Sequence, residues 1–254
     1  MKTVALLLLL LGCGVTQALA QEEIITPRTG DYSAITSVAE LTDPATLESL
    51  AEVVAADATV EWEIYVPENY SSTKPAGIMV NISPLRSGSI PKRWKPVMDR
   101  HNLIWIGANR AGNPVMTMRR MLFAALAPVQ IQNHYSVNTD RIFVSGLSGG
   151  GRVSSLVAIE FARQFKGAIY ICGVNPPRQE QPVLLDQVRE NRFVFLTGSK
   201  DFNKDETKRV FARYKKLGVE HIQLMVVPHM SHRNPDADDF EEAIRFLDDG
   251  LHPL

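Results

Sequence analysis

Apolar residues come along this chain in short unbroken runs, separated by longer amphipathic or polar stretches. Thr59–Val66 alternates apolar and polar positions as far as Pro67, which predicts a strand. The runs Gly77–Ile82, Leu103–Ala108, Arg141–Ser145, Gly167–Ile171, Phe193–Thr197 and Ile222–Val227 predict six more, each too short for a helix. Between them, apolar positions recur at helical spacing over 92–101, 115–133, 149–165, 206–217 and 238–247. Asp43-Pro44 predicts an earlier helix start, with Leu47, Leu50, Ala51 and Val54 on one face. Residues 21–43 are polar and without period, and predict irregular chain on the surface. Strands alternating with helices in this way predict an α/β fold, a mostly parallel central sheet with helices on both faces. In such sheets, sites form at the carboxyl ends of the strands.

Three predicted strand ends carry reactive residue types. The first is RIFVSGLSGGGR at 141–152, where an apolar run stops at a serine flanked by glycines. Gly146, Ser148 and Gly150 fit G-x-S-x-G, a strand-to-helix turn so tight that it lifts the serine hydroxyl out of the fold. The same turn aims the backbone N–H of the next residue, Gly149, at whatever the hydroxyl attacks. A phosphate-binding loop is the competing reading, since Gly146 and Gly151 have its spacing. That motif needs Lys and Ser/Thr where this chain has Arg152 and Val153. A dinucleotide fingerprint would need glycine in place of Ser148.

The second end, Thr197-Gly198-Ser199-Lys200-Asp201, places Asp201 just past its strand. Asp205 competes with it, but reads better as the N-cap of a helix beginning at Glu206. The third end, Pro228-His229-Met230-Ser231-His232, offers two histidines, of which one can act as a base. A serine, an acid and a histidine therefore follow one another at strand ends.

Charge changes this picture little. Lys plus Arg total 27 against 28 for Asp plus Glu, so no basic field favours nucleic acid. The N-terminus matters more: Lys2, the apolar run Val4–Leu11 and Ala18-Leu19-Ala20 form a signal peptide over 1–20, with the remaining chain, 21–254, as one domain. The apolar run is too short to span a bilayer. The expected location is periplasmic or secreted. Leu10-Leu11-Gly12-Cys13 offers an alternative, a lipoprotein box that would anchor the protein by lipid on Cys13. Without Cys13 only Cys172 is left, so no intramolecular disulfide forms, and Cys172 reads as a small buried hydrophobe. The His and Cys spacings match no metal site.

Serine, then acid, then histidine is the chain order of the α/β-hydrolases. The chain resembles that family over most of its length, and most of all the exported single-domain esterases related to polyhydroxybutyrate depolymerases and feruloyl esterases. The resemblance is carried by IYVPENY at 64–70, NTDRIFVSGLSGGGR at 138–152, TGSKDFN at 197–203, VPHMSH at 227–232 and FEEAIRFLD at 240–248. It implies a serine esterase without cofactor, acting on a small-molecule or polymer-linked ester with Ser148, Asp201 and His232 as the catalytic set. Pro-x-x-x-His in the family ends in the catalytic histidine, which maps onto Pro228 and His232 and leaves His229 outside the chemistry. The chain departs from the family after the strand ending at Ile82: many relatives have His-Gly where it has Ser83-Pro84, and proline has no N–H to donate. The oxyanion donors expected are then the N–H groups of Gly149 and of Leu85, the next free donor in that loop. No long insertion follows Gly149, which implies an open site without a large lid. Substrate choice falls to the loops 85–92, 109–118 and 175–185. In the second of these, Arg110, Asn113, Arg119 and Arg120 are candidates to meet a carboxylate or sugar, or to serve as surface and ion-pair residues. Two other readings share the fold: a peptidase related to the prolyl peptidases, and a catalytically silent binding protein.

Overall fold

The computed structural model describes residues 27–55, 57–177 and 182–248; side chains at 182–185 are not described. The expected signal peptide and the alternative lipidation site at Cys13 lie outside the described residues. Among the described residues, eight strands form one sheet: β1 Gly30–Ser37, β2 Thr59–Val66, β3 Ala76–Asn81, β4 Leu103–Ala108, β5 Val137–Leu147, β6 Gly167–Ile171, β7 Arg192–Gly198 and β8 Ile222–Val227. Their spatial order is β1-β2-β4-β3-β5-β6-β7-β8. β1 pairs antiparallel with β2, and β2 antiparallel with β4; the other pairs are parallel.

The central strands are apolar at every position because both faces are covered, and successive side chains take opposite sides. Ile78 and Val80, Ile104 and Ile106, Ile142 and Val144, Ala168 and Tyr170, and Phe193 and Phe195 share one core. Met79, Leu103, Trp105, Phe143, Ile169, Ile171, Val194 and Leu196 share the other. Helices α3 Thr117–Gln132, α4 Gly149–Glu160, α5 Pro182–Glu190 and α6 Lys204–Lys216 contribute to the first core. Helices α2 Lys95–His101 and α7 Ala237–Leu247 close the second, where Trp94 and Phe240 stack with ring centroids 3.8 Å apart. The remaining helix, α1 Pro44–Ser49, starts as expected on an Asp43 cap that accepts from Thr46 N–H at 2.9 Å, but stops short of Val54.

Three expectations need correction. Residues 21–43 are not wholly irregular: β1 lies among them, in unbroken register with β2 from Gly30 opposite Val66 to Ser37 opposite Thr59. Its inward face carries only Tyr32 and Ala34, too weak a pattern to stand out, and cross-chain bonds such as Thr36 Oγ1 to Gln130 Oε1 at 2.6 Å hold it. The stretch 175–185 is not all loop, because α5 begins at Pro182. Asp205 does not cap its helix: α6 starts at Lys204 with Asn203 at the cap position, and Asp205 sits in the first turn, where its charge suits the helix dipole.

Helix α7 is tied to α2 by ions as well as by its apolar face. The Glu241 carboxylate, largely buried, pairs with Arg100, accepts from Arg245 Nη2 at 2.9 Å and lies 3.4 Å from His101 Nε2. The Arg100 guanidinium, helped by Arg245 and His101 and opposed by burial, holds Glu241 at about 2, against an ordinary value of 4.5. A carboxyl depressed in the folded state adds stability that is fully present above its unfolded value and lost as pH falls towards its folded one. Glu241→Gln is therefore expected to lower thermal stability at neutral pH and to flatten the loss of stability between about pH 4.5 and about pH 2, measured by thermal unfolding across that range. An unchanged acid profile would mean that other carboxylates govern it.

Candidate active site

Strand β5 delivers Ser148 in a backbone conformation that few side chains adopt, φ 56° and ψ −119°. A non-glycine residue held there stores on the order of 1–3 kcal/mol of strain, which persists only where packing enforces it. The packing here is backbone against backbone. A Cβ on Gly150 would stand 1.8 Å from the Ile82 carbonyl oxygen, and one on Gly173 would stand 2.4 Å from the Ser148 carbonyl oxygen. The Ser148 N–H donates to the Ile171 carbonyl at 2.7 Å, closing the turn onto the end of β6. Helix α4 then runs away from the turn, so the Gly149 N–H opens a helix N-terminus beside the serine.

Two strands further along, Asp201 and His232 meet. His232 Nδ1 lies 2.7 Å from Asp201 Oδ1. Burial alone would raise the Asp201 pKa, but hydrogen bonds from Thr197, His232 and the Asn203 N–H outweigh it and hold the carboxyl below its ordinary value. An ionised carboxylate only accepts, so Nδ1 carries the hydrogen of this pair and leaves Nε2 with a free lone pair when the ring is neutral. The Thr197 hydroxyl donates to Oδ2 at 2.7 Å and the Asn203 N–H to Oδ1 at 3.1 Å, so the carboxylate is fixed from several sides. The two loops are fastened to each other by Lys200 N–H to Met230 O at 3.0 Å and His229 N–H to Ser199 Oγ at 2.8 Å. His229 itself is exposed, with φ 59°, and its described bond is through its backbone.

The segment Cys172-Gly173 joins the serine turn to the acid. Gly173 packs on the Ser148 backbone, while the Cys172 carbonyl accepts from Asn203 Nδ2 at 2.8 Å. Cys172 is buried, as the sequence suggests, but it is more than a small hydrophobe. Its backbone is left-handed, φ 52°, and its thiol lies beside Asp201 while donating to the Arg233 carbonyl at 3.7 Å. Sγ of Cys172, an Asp201 oxygen and a His232 ring nitrogen lie within 4.8 Å of one another, a donor set of the kind that holds a soft metal. A metal would need the thiolate, yet burial and the Asp201 charge push this thiol up to about 12. The three groups are better matched to one another than to a cation. Arg152 adds a clamp from α4 across to α6: its guanidinium pairs with Glu206 and donates to the Val174 carbonyl at 3.3 Å.

On the other side of the serine, Leu85 is 70% exposed, and its N–H donates to Ser83 Oγ at 3.1 Å. The loop after β4 braces this one, with Asn113 N–H on the Pro84 carbonyl at 3.0 Å. The Asn113 side chain lies over the serine turn: a Cβ on Gly149 would stand 2.2 Å from its Oδ1 and 3.0 Å from its Nδ2. Of the arginines in the same stretch, Arg110 pairs with Glu61 at 3.4 Å, Arg119 lies over the Phe123 ring, and Arg120 is buried against Ser83. Phe202, 77% exposed, stacks on the His232 ring at 4.1 Å and 22°. Thr197 and Phe202 escape a reading of the sequence because their partners are distant in the chain or on a neighbouring turn, and Asn113, a candidate substrate contact there, gives no sign of its place over Gly149. The one signal for Phe202 is an aromatic placed next to the candidate acid.

No protein-family model and no curated protein matches the chain. Solved structures do. An S-formylglutathione hydrolase from Staphylococcus aureus, FrmB, is 16% identical and aligns over 87% of this chain and 96% of its own, with a TM-score of 0.56. A ferulic acid esterase is 12% identical over 86% of this chain and 99% of its own, with a TM-score of 0.61. A putative dipeptidyl aminopeptidase IV from Bacteroides ovatus reaches the same 0.61 at 12% identity, but this chain spans only 36% of its length. Together with the strand order and the glycine-flanked serine turn, these likenesses establish that the chain is built on the α/β-hydrolase fold.

Proposed function

We propose that the chain is a serine hydrolase that cleaves carboxylic esters through an acyl-enzyme. The observation that carries this reading is a strained serine turn at the end of β5 together with a hydrogen-bonded Asp201–His232 pair at the ends of β7 and β8. In the proposed reaction His232 Nε2 takes the Ser148 proton as Oγ bonds to the ester carbonyl carbon. Collapse of the tetrahedral intermediate breaks the C–O bond to the alcohol, which leaves with that proton. Water then repeats the sequence and frees the acid and Ser148. Asp201 holds the imidazole in the required tautomer and stabilises its charged form. The scheme needs no cofactor.

Oxyanion stabilisation falls to backbone donors, each contributing about 3 kcal/mol at the transition state. Gly149 N–H is the first. Leu85 N–H is the second in this reading, and it becomes free when the Ser83 hydroxyl rotates away from it. In this reading the Asn113 carboxamide, which lies over Gly149, adds a side-chain donor through Nδ2 and offsets the proline at position 84.

The substrate is expected to be a small or polymer-linked ester approaching an open, apolar rim. Leu85, Met116 and Phe202, in loops that follow β3, β4 and β7 at their carboxyl ends, and Met118 in the first turn of α3 are exposed large hydrophobics. Esterases among the structural neighbours support the ester reading over the peptidase one, and the chain spans 36% of the aminopeptidase's length. Comparing hydrolysis of p-nitrophenyl esters with that of aminoacyl amides separates the two. We also propose that 1–20 directs export and that 21–254 is the working domain, with lipid on Cys13 as the alternative that mass spectrometry of the native N-terminus would reveal.

Ser148→Ala and His232→Ala are each expected to lower ester turnover at least ~10³-fold with little change in melting temperature, whereas His229→Ala changes it less than about tenfold. The reverse ranking of the histidines would move the base to His229. Asn113→Ala is expected to lower kcat about 10²-fold with KM within a few-fold, because a donor aimed at the oxyanion acts in the transition state. A change in KM alone would make Asn113 a substrate contact instead.

A further inference from the structure

Phe202 is a large apolar side chain that the core does not hold. It is 77% exposed and belongs to neither of the two cores, so packing against the sheet does not account for where it lies. The backbone does. The Lys204 N–H donates to the Asp201 carbonyl at 3.2 Å and the Asn203 N–H to Asp201 Oδ1 at 3.1 Å, which closes a tight turn with Phe202 at its tip. From there its ring lies on one face of the His232 imidazole, centroids 4.1 Å apart and planes 22° from parallel. Asp201 meets the same imidazole at its edge, through Nδ1. Two consecutive residues of one turn therefore hold His232, one in the plane of the ring and one across its face.

Two uncharged rings prefer edge-to-face or offset contacts with centroids about 4.5–7 Å apart, as Tyr170 and Tyr214 make at 6.3 Å and 61°. Among the described ring pairs the only closer stack is Trp94 on Phe240, and both of those rings are clamped inside a core. A cation behaves differently, since the negative face of an aromatic ring attracts it within about 6 Å of the centroid. The close, nearly parallel contact of Phe202 with His232 thus suits an imidazolium better than a neutral imidazole. In the ester hydrolysis proposed above, on which this inference rests, the imidazolium is transient: it forms as Nε2 takes the Ser148 proton and disappears when the alcohol leaves with it. We propose that Phe202 is a positioning residue for that reaction, whose ring face steadies the His232 imidazole and stabilises its positive charge in the transition states. An interaction made there and not with bound substrate acts on kcat and kcat/KM together.

The experiment compares the kinetics of p-nitrophenyl ester hydrolysis by the full chain when residue 202 is Phe, Leu, Trp, or phenylalanine carrying one to three ring fluorines, with each melting temperature measured alongside. Fluorine weakens the pull of the ring face on a cation and changes the shape of the ring little. Phe202→Leu is expected to lower kcat and kcat/KM together by about two- to fivefold, with KM nearly unchanged. The fluorinated rings should fall between Phe and Leu in order of fluorine number, and Phe202→Trp, with the better cation-binding face, should keep or exceed the unaltered rate. Because Phe202 stands on the surface, melting temperatures should stay together across the set. Equal kcat across the fluorinated series would overturn the proposal and leave Phe202 as a steric brace. A change confined to KM would overturn it by making the ring a substrate platform. An unaltered protein that neither hydrolyses esters nor captures a fluorophosphonate would instead overturn the hydrolase reading, and this inference with it.

Discussion

Everything around the candidate site follows from a steric constraint, the close approach of backbone to backbone beneath Ser148. A residue at φ 56° with a full side chain relaxes unless its neighbours forbid it. Here they do, because Gly150 sits on the Ile82 carbonyl and Gly173 on that of Ser148, at separations that no β-carbon tolerates. The same contacts bring the ends of β3, β5 and β6 together. They set where α4 begins, and hence where its first free N–H groups point.

The acid and the histidine depend on a different kind of support. Asp201 is buried, and burial would by itself favour the neutral acid, which could not orient an imidazole as an ionised acceptor does. Thr197, the Asn203 N–H and His232 reverse that preference by donating to the charged form. Cys172 connects the two supports, since its thiol faces Asp201 while its neighbour Gly173 packs beneath Ser148. The candidate residues thus stand at the strand ends of β5, β7 and β8, with the Cys172-Gly173 segment after β6 in contact with both the serine turn and Asp201.

The parts of this arrangement that rest on local pattern were legible in the sequence. β2, β4, β6 and β8 occupy the residues that the apolar runs mark, and the glycine spacing around Ser148 announces the turn. What escaped depends on distant partners. β1 has only two inward apolar side chains and is a strand because β2 pairs with it. Asp205 has the chemistry of a cap, but α6 begins one residue before it, at Lys204. Leu85 N–H looked like a free donor, and the Ser83 hydroxyl two residues earlier in the chain engages it. The placement of Asn113 over Gly149 and the burial of Arg120 against the Ser83 carbonyl have no counterpart in a linear pattern.

The central claim is that Ser148 is activated by the Asp201–His232 pair, and covalent capture tests it most directly. The protein is treated with a fluorophosphonate, its intact mass is measured and the modified peptide is mapped. The account predicts a single adduct on the peptide that spans Arg141–Arg152, at Ser148, forming far more slowly when His232 is alanine. No adduct on the folded protein, or an adduct on another residue, would contradict it.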